Sequence, residues 1–171
     1  MSHDATVAEE EYLQTIFWLM EAGLPITGAN IARAMQLSPP TVHEMIKRLE
    51  PFRPYFFEDP FYPEDIGYLK VLRPQTSVPI AIGEKFVNRH DYAGLITERL
   101  MDFIRVHITA IGGITMAWKL ATLGEWFNVR TAWHAPGDLT PVGHAANAHL
   151  DLASPNFGIQ EYMRHTPETD E

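Results

Sequence analysis

The sequence predicts an α/β chain in which a small all-α helix-turn-helix segment, residues 1–50, leads into a parallel strand-and-helix region, residues 51–171. Three observations carry this reading. Apolar residues recur at helical spacing through residues 7–49, where the only prolines are Pro25, Pro39 and Pro40. Prolines and aromatics then crowd into residues 51–63 and mark a boundary near Glu50 and Pro51. Beyond it, short β-type runs alternate with amphipathic segments of helical length, a pattern whose right-handed crossovers give a parallel sheet.

The helices come first. Tyr12, Leu13, Ile16, Phe17, Leu19 and Met20 stand one, three and four apart, so the first helix has an apolar side, and Gly23 ends it. Thr27 sits at the N-cap of a short second helix, whose inner stripe is Ile31, Ala32 and Met35 and which stops near Gln36. Ser38 caps the third, ahead of Pro39 in the first turn, where a missing N–H does no harm. Val42, Met45, Ile46 and Leu49 point inward from it, and the tight Gln36-Leu37-Ser38 turn makes a helix-turn-helix.

The β-type runs follow: Tyr55-Phe56-Phe57, Val78-Pro79-Ile80-Ala81-Ile82, Phe103-Ile104-Arg105-Val106-His107-Ile108 and Val129-Arg130-Thr131-Ala132-Trp133. Residues 64–72, 90–100 and 114–127 are the helical segments between them. Each run ends in polar residues: Glu58 and Asp59, then Glu84, then 109–113, then 134–138. In βα folds the carboxyl ends of strands are where ligands bind.

Composition narrows the function. At 171 residues the chain is too short for a full (β/α)8 barrel. With 46% hydrophobic and 20% charged residues it can bury a core, which excludes wholesale disorder. A net charge of -9 disfavours non-specific nucleic-acid binding, and residues 1–50 alone hold three basic and seven acidic side chains. The absence of cysteine excludes disulfides, thiolate metal sites and cysteine nucleophiles, while eight His and many carboxylates leave oxygen and nitrogen metal sites open. No apolar run approaches the ~20 residues of a membrane helix, and the first residues lack a secretion signal, so a cytoplasmic protein with no membrane partner is expected.

Glu58 and Glu84 each terminate a β-type run, and the expectation is that they project side by side at one rim of the sheet. Two carboxylates so placed suit Mg²⁺, a hard cation that prefers oxygen; on spacing alone, two helix caps or two solvated carboxylates stand as the alternative. Phe57-Glu58-Asp59-Pro60 followed by Pro79-Ile80-Ala81-Ile82-Gly83-Glu84 resembles the fourth and fifth barrel strands of the enolase superfamily. Phe103-Ile104-Arg105, Ile111-Gly112-Gly113-Ile114-Thr115, the run from Val129 through His134-Ala135-Pro136-Gly137-Asp138 to Pro141, and Pro155-Asn156-Phe157-Gly158-Ile159-Gln160-Glu161-Tyr162 resemble its mannonate dehydratase group of sugar-acid dehydratases.

That resemblance implies a partial (β/α)8 barrel, about strands four to eight. It implies that Glu58 and Glu84 bind Mg²⁺, which holds a sugar-acid carboxylate and stabilises the enediolate formed when the neighbouring proton is removed. It further implies that Arg105, His134, Asp138 and Glu161 line the same pocket, with His134 contacting substrate as a general acid and Glu161 binding hydroxyls. On its own, His134 reads as readily as a hydrogen-bonded loop histidine. The family's third metal ligand, its proton-abstracting groups and its capping domain have no counterpart ahead of Pro51, so the expected Mg²⁺ site is partial and weak and catalysis incomplete.

At the front, Ala8-Glu9-Glu10-Glu11-Tyr12-Leu13-Gln14-Thr15-Ile16 and Leu37-Ser38-Pro39-Pro40-Thr41-Val42-His43-Glu44-Met45-Ile46-Lys47-Arg48-Leu49 are similar to the winged-helix-like helix-turn-helix of the diphtheria toxin repressor family of iron- and manganese-dependent regulators. The likeness implies that Ser38, Pro40, Thr41 and Glu44 sit at the start of a recognition helix and reach base edges in a major groove. Lys47 and Arg48 read equally as a solvated helix end. A single module without a wing or dimerisation helices holds DNA weakly.

The two likenesses meet at Leu49-Glu50, a fusion of two partial domains. Three functions follow as expectations: a sugar-acid dehydratase-like protein with residual Mg²⁺ binding, a DNA-binding regulator, and a fusion with neither activity. Part of a barrel leaves apolar surface and strand edges uncovered, so a homo-oligomer is expected.

Overall fold

A computed structural model describes residues 7–22, 28–137 and 139–163. The chain forms two compact units, Met1–Val78 and Pro79–Glu171.

In the first unit, α1 (Val7–Glu21), α2 (Gly28–Ala34) and α3 (Pro39–Leu49) enclose a small core of Tyr12, Leu19, Ile31 and Met45, with Ile16, Met35, Leu37 and Leu49 packed against it. The amphipathic spacing of α3 buries Val42, Met45 and Ile46, as its sequence predicts. The turn before it depends on Gln36, whose φ of 54° lets the chain reverse while Leu37 N–H donates to Ala32 O at 2.7 Å and closes the end of α2.

Three expectations change here. Phe17 is 52% exposed and Trp18 60% exposed, so the apolar side of α1 is narrower than the spacing suggests. Consecutive residues lie about 100° apart around a helix, which places Phe17 away from the Tyr12 and Leu19 face. Ser38 has the extended backbone of an N-cap, yet its hydroxyl bonds to Thr41 Oγ1 at 3.0 Å instead of accepting from a backbone N–H. Residues 64–72 form a 3₁₀ segment, Pro63–Tyr68, and then the single turn α4 (Leu69–Leu72), because Pro63, Gly67 and Pro74 leave too short a stretch for an α-helix to nucleate. The expected stop at Gly23 and cap at Thr27 lie outside the described residues.

Between these helices runs β1 (Phe57–Glu58). Ser77 ties the end of α3 to the end of the unit: its N–H and hydroxyl donate to Glu50 Oε1 at 2.7 and 2.5 Å, and these bonds hold the Glu50 carboxyl below its usual range.

The second unit alternates strand and helix: β2 (Ile80–Ile82), α5 (Arg89–Thr97), β3 (Phe103–Ile104), α6 (Ile114–Trp126), β4 (Arg130–Thr131) and α7 (Pro141–Ala153). β2 pairs with β3 and β3 with β4, all parallel, with Ala81 opposite Phe103 and Ile104 opposite Thr131. Regular pairing covers less of each run than the sequence suggests. Single parallel bridges continue the ladder, His107 to His134 and Thr131 to Phe157. α7 is a helix the sequence reading passed over; Thr140 Oγ1 accepts from Gly143 N–H at 3.3 Å, and Pro141 opens its first turn.

Ile80, Ile82, Ile104, Val106, Ala132 and Trp133 are all buried to 1% exposure or less, the near-continuous apolar character of a parallel sheet covered on both faces. Two glycines permit close packing against the sheet. A Cβ on Gly83 would lie 2.5 Å from the Arg105 carbonyl carbon, and one on Gly158 would lie 2.6 Å from Phe103 Cε1. Among the described residues no helix is long and apolar enough to cross a membrane.

Candidate metal centre

Parallel neighbouring strands deliver the residues that follow them to one rim, because adjacent strands are only about 4.8 Å apart and run the same way. Glu84 follows β2 by two residues, Arg105 follows β3 directly, His134 lies three residues past β4, and Glu161 follows the bridge at Phe157. The Glu84 loop is held from α5, where buried Tyr92 donates its hydroxyl to Gly83 O at 2.8 Å and also to Phe86 O.

These four side chains meet. His134 Nε2 stands 3.0 Å from Glu84 Oε2 and 3.9 Å from Glu161 Oε2. Arg105 Nη2 pairs with Glu161 Oε2 at 2.9 Å, and Ala135 N–H donates to the same oxygen at 2.6 Å. Arg105 is itself buried, and its Nη1 donates to Ala132 O and Trp133 O, both at 3.3 Å, which fixes the guanidinium against the strand end. His107 meets the His134 ring edge-on, with centroids 5.6 Å apart.

Lys85 completes the group, with Nζ 2.5 Å from Glu84 Oε1. Burial alone would raise the Glu84 carboxyl, but the hydrogen bonds from His134 and Lys85 and the Lys85 charge outweigh it and hold the group at about 2. Glu84 is therefore an ionised, largely buried carboxylate. As a carboxylate it offers the oxygen donor that a hard divalent cation such as Mg²⁺ takes, with the His134 Nε2 nitrogen 3.0 Å away.

Of the residues the sequence singled out, the structure brings together Glu84, Arg105, His134 and Glu161. Glu58 ends β1 in the first unit and is half-buried. Asp138 lies outside the described residues. Ser38, Pro40, Thr41 and Glu44 are exposed at the start of α3, and Lys47 and Arg48 are exposed at its end. Sequence reasoning missed Lys85; its signal was a basic residue directly following a strand-end carboxylate.

Comparison with known proteins agrees with these two kinds of surface. Residues 31–171 match the enolase C-terminal domain-like family, and residues 4–51 match the iron dependent repressor, N-terminal DNA binding domain. A D-galactonate dehydratase family member of Musicola paradisiaca is 52% identical over 135 residues, 79% of this chain and 32% of the relative. A D-mannonate dehydratase of Sphingomonas sp. is 42% identical over 135 residues, 79% of this chain and 34% of the relative. The crystal structure of an enolase from Pantoea ananatis with bound D-gluconate and Mg superposes with a TM-score of 0.74 at 53% identity, covering 77% of this chain and 32% of that one. The chain spans about a third of the length of the relatives it matches.

Proposed function

Because the chain belongs to the enolase C-terminal domain-like family, we propose that its second unit binds Mg²⁺ and a sugar-acid carboxylate of the mannonate or gluconate type, weakly and without dehydrating it at a useful rate. The network of Glu84, Arg105, His134 and Glu161 at the carboxyl ends of β2 to β4 carries this reading. Glu84 would hold the cation in the second unit, where it would supply Lewis-acid polarisation of a carboxylate oxygen, and Glu58 enters as a second ligand only on the strength of the family resemblance. Arg105 anchors Glu161 so that its free oxygen accepts from substrate hydroxyls, and His134, poised between two carboxylates, holds a proton at Nε2 for a leaving hydroxyl. Asp138 takes a place in the same pocket on the strength of its family motif alone. The relatives' dehydratase names support the substrate class. Thermal unfolding with and without MgCl2 and gluconate tests the reading: stabilisation that disappears when Glu58 and Glu84 are both replaced by Gln supports it, and sustained turnover of mannonate or gluconate by the homogeneous protein overturns the inactive half.

A second reading has its own observation. Ser38, Pro40, Thr41 and Glu44 form an exposed polar face at the start of α3, the place from which a recognition helix reaches base edges, so the first unit is proposed to bind duplex DNA weakly. Salt-sensitive binding to palindromic duplexes supports it; binding no tighter than that of an acidic protein of equal charge opposes it. Association into a homo-oligomer is proposed from the partial barrel, and light scattering that returns a monomer at high concentration removes it. A fusion with neither activity is the outcome if both tests are negative.

A further inference from the structure

We propose that Lys85 is a built-in counter-ion that occupies Glu84 and competes with a divalent cation for it. The inference rests on the reading of Glu84 as a cation ligand. Both oxygens of that carboxylate are engaged within the second unit: Lys85 Nζ lies 2.5 Å from Oε1 and His134 Nε2 lies 3.0 Å from Oε2. A cation taking Oε1 must displace the ammonium or sit against it, and two positive charges on one carboxylate repel strongly in a site as sheltered as this, where Glu84 is 8% exposed.

Lys85 is well suited to such competition. It is the next residue in the chain, so its ammonium is always at hand, and its side chain is 19% exposed, so the pair is less screened than a surface ion pair. An ammonium on a four-carbon stem is a compact point charge that can swing away to solvent, which makes the contact displaceable rather than permanent. The occupied state holds the Glu84 carboxylate in place from both of its oxygens. Lys85 thus sets the cation concentration at which the centre fills.

Titration calorimetry of MgCl2 into the full chain, at constant ionic strength, tests this with four proteins: the natural chain, Lys85→Met, Lys85→Arg and Glu84→Gln. Lys85→Met is expected to bind Mg²⁺ roughly tenfold more tightly, since it keeps length and removes charge. Lys85→Arg should stay near the natural affinity, and Glu84→Gln should lose binding. Equal or weaker binding by Lys85→Met, with Glu84→Gln still defective, overturns the role of Lys85 alone. Undiminished binding by Glu84→Gln overturns the cation reading itself, and the competition with it.

Should Lys85→Met fail to fold by circular dichroism, the natural chain supplies the answer. Acylation of Lys85 by acetic anhydride, followed by peptide mass spectrometry, should rise on adding Mg²⁺ as the ammonium is displaced. Unchanged or lower acylation at saturating Mg²⁺ overturns the proposal.

Discussion

In the first unit Ser38, Pro40, Thr41 and Glu44 lie within two turns of one helix and are exposed, whereas in the second Glu84, Arg105, His134 and Glu161 come from four segments and converge only because parallel strands align their ends. The cores beneath them differ in the same sense. Four buried side chains, Tyr12, Leu19, Ile31 and Met45, anchor the helical cluster, while the strands of the second unit and the residues just beyond them carry Ile80, Ile82, Ile104, Val106, Ala132 and Trp133 at 1% exposure or less. A surface that reads a partner needs only one element held from behind. A centre assembled from distant residues needs every intervening backbone in place, so its chemistry and its stability are not separable.

The largest expected effect exposes that coupling. Gly83→Ala would press a Cβ to 2.5 Å from the Arg105 carbonyl carbon, at the crossing that positions both Glu84 and Arg105. A loss of about 3 kcal/mol or more is expected by urea denaturation, together with loss of Mg²⁺-dependent stabilisation. In the first unit Gly67→Ala meets nothing within 4 Å and should stay within about 0.5 kcal/mol. Equal effects at the two glycines would break the contrast.

Glu84→Gln comes next. The folded pKa lies below the ordinary 4.5, at about 2, so the stability Glu84 contributes is present above 4.5 and is lost as pH falls through about 2. Replacement by Gln removes the carboxylate that Lys85 Nζ and His134 Nε2 contact, and a loss of about 1–3 kcal/mol at pH 7 is expected, shrinking toward pH 2. Urea midpoints collected across that range check both the size and the slope.

How much of this was legible differs between the units for a physical reason. Val42, Met45 and Ile46 announce a helix face because the signal repeats within eleven residues, and their burial follows. Glu84 and His134 were each visible as strand-end polar residues, but nothing local links residues 84 and 134; their 3.0 Å approach is a product of sheet register. α7 escaped because Ala, His and Asn dilute its apolar stripe, although Thr140-Pro141 stood as a start signal. Phe17 shows the opposite error, an apolar residue assigned inward by proximity in sequence rather than by angle around the helix. Lys85 was passed over since a lysine beside a glutamate is ordinary on a surface, and only burial makes it consequential.

A third test sharpens the contrast away from the metal centre. On α7 the Asp151 carboxyl is pushed up to about 7 by burial, which outweighs the opposing pull of the Trp133 side chain. The folded pKa exceeds the unfolded 3.8, so the contribution of the protonated group is complete below 3.8 and is lost as pH rises through about 7. Asp151→Asn should therefore stabilise the second unit by about 1–2 kcal/mol at pH 8, after allowance for solvent screening, and by almost nothing at pH 4. Thermal midpoints of both proteins at the two pH values decide it. An equal gain at pH 4 would point to packing instead of charge.

The smallest stability effect belongs to Thr41→Ala, and there the two units should part most clearly. Thr41 is exposed and, among the described residues, its hydroxyl bonds to the exposed Ser38 hydroxyl alone, so urea denaturation should shift by no more than about 0.5 kcal/mol. If the face reads DNA, loss of one side-chain contact to a base edge should still cost about 1 kcal/mol of affinity, roughly fivefold. Because threonine carries no charge, the dependence of that affinity on salt should keep its slope, whereas Lys47→Ala should flatten it by releasing about one fewer counterion. Fluorescence anisotropy at several salt concentrations separates the two. A Thr41→Ala protein with unchanged affinity, beside a Lys47→Ala protein with an unchanged slope, would reduce the exposed start of α3 to an ordinary solvated helix face and leave the second unit as the sole bearer of function.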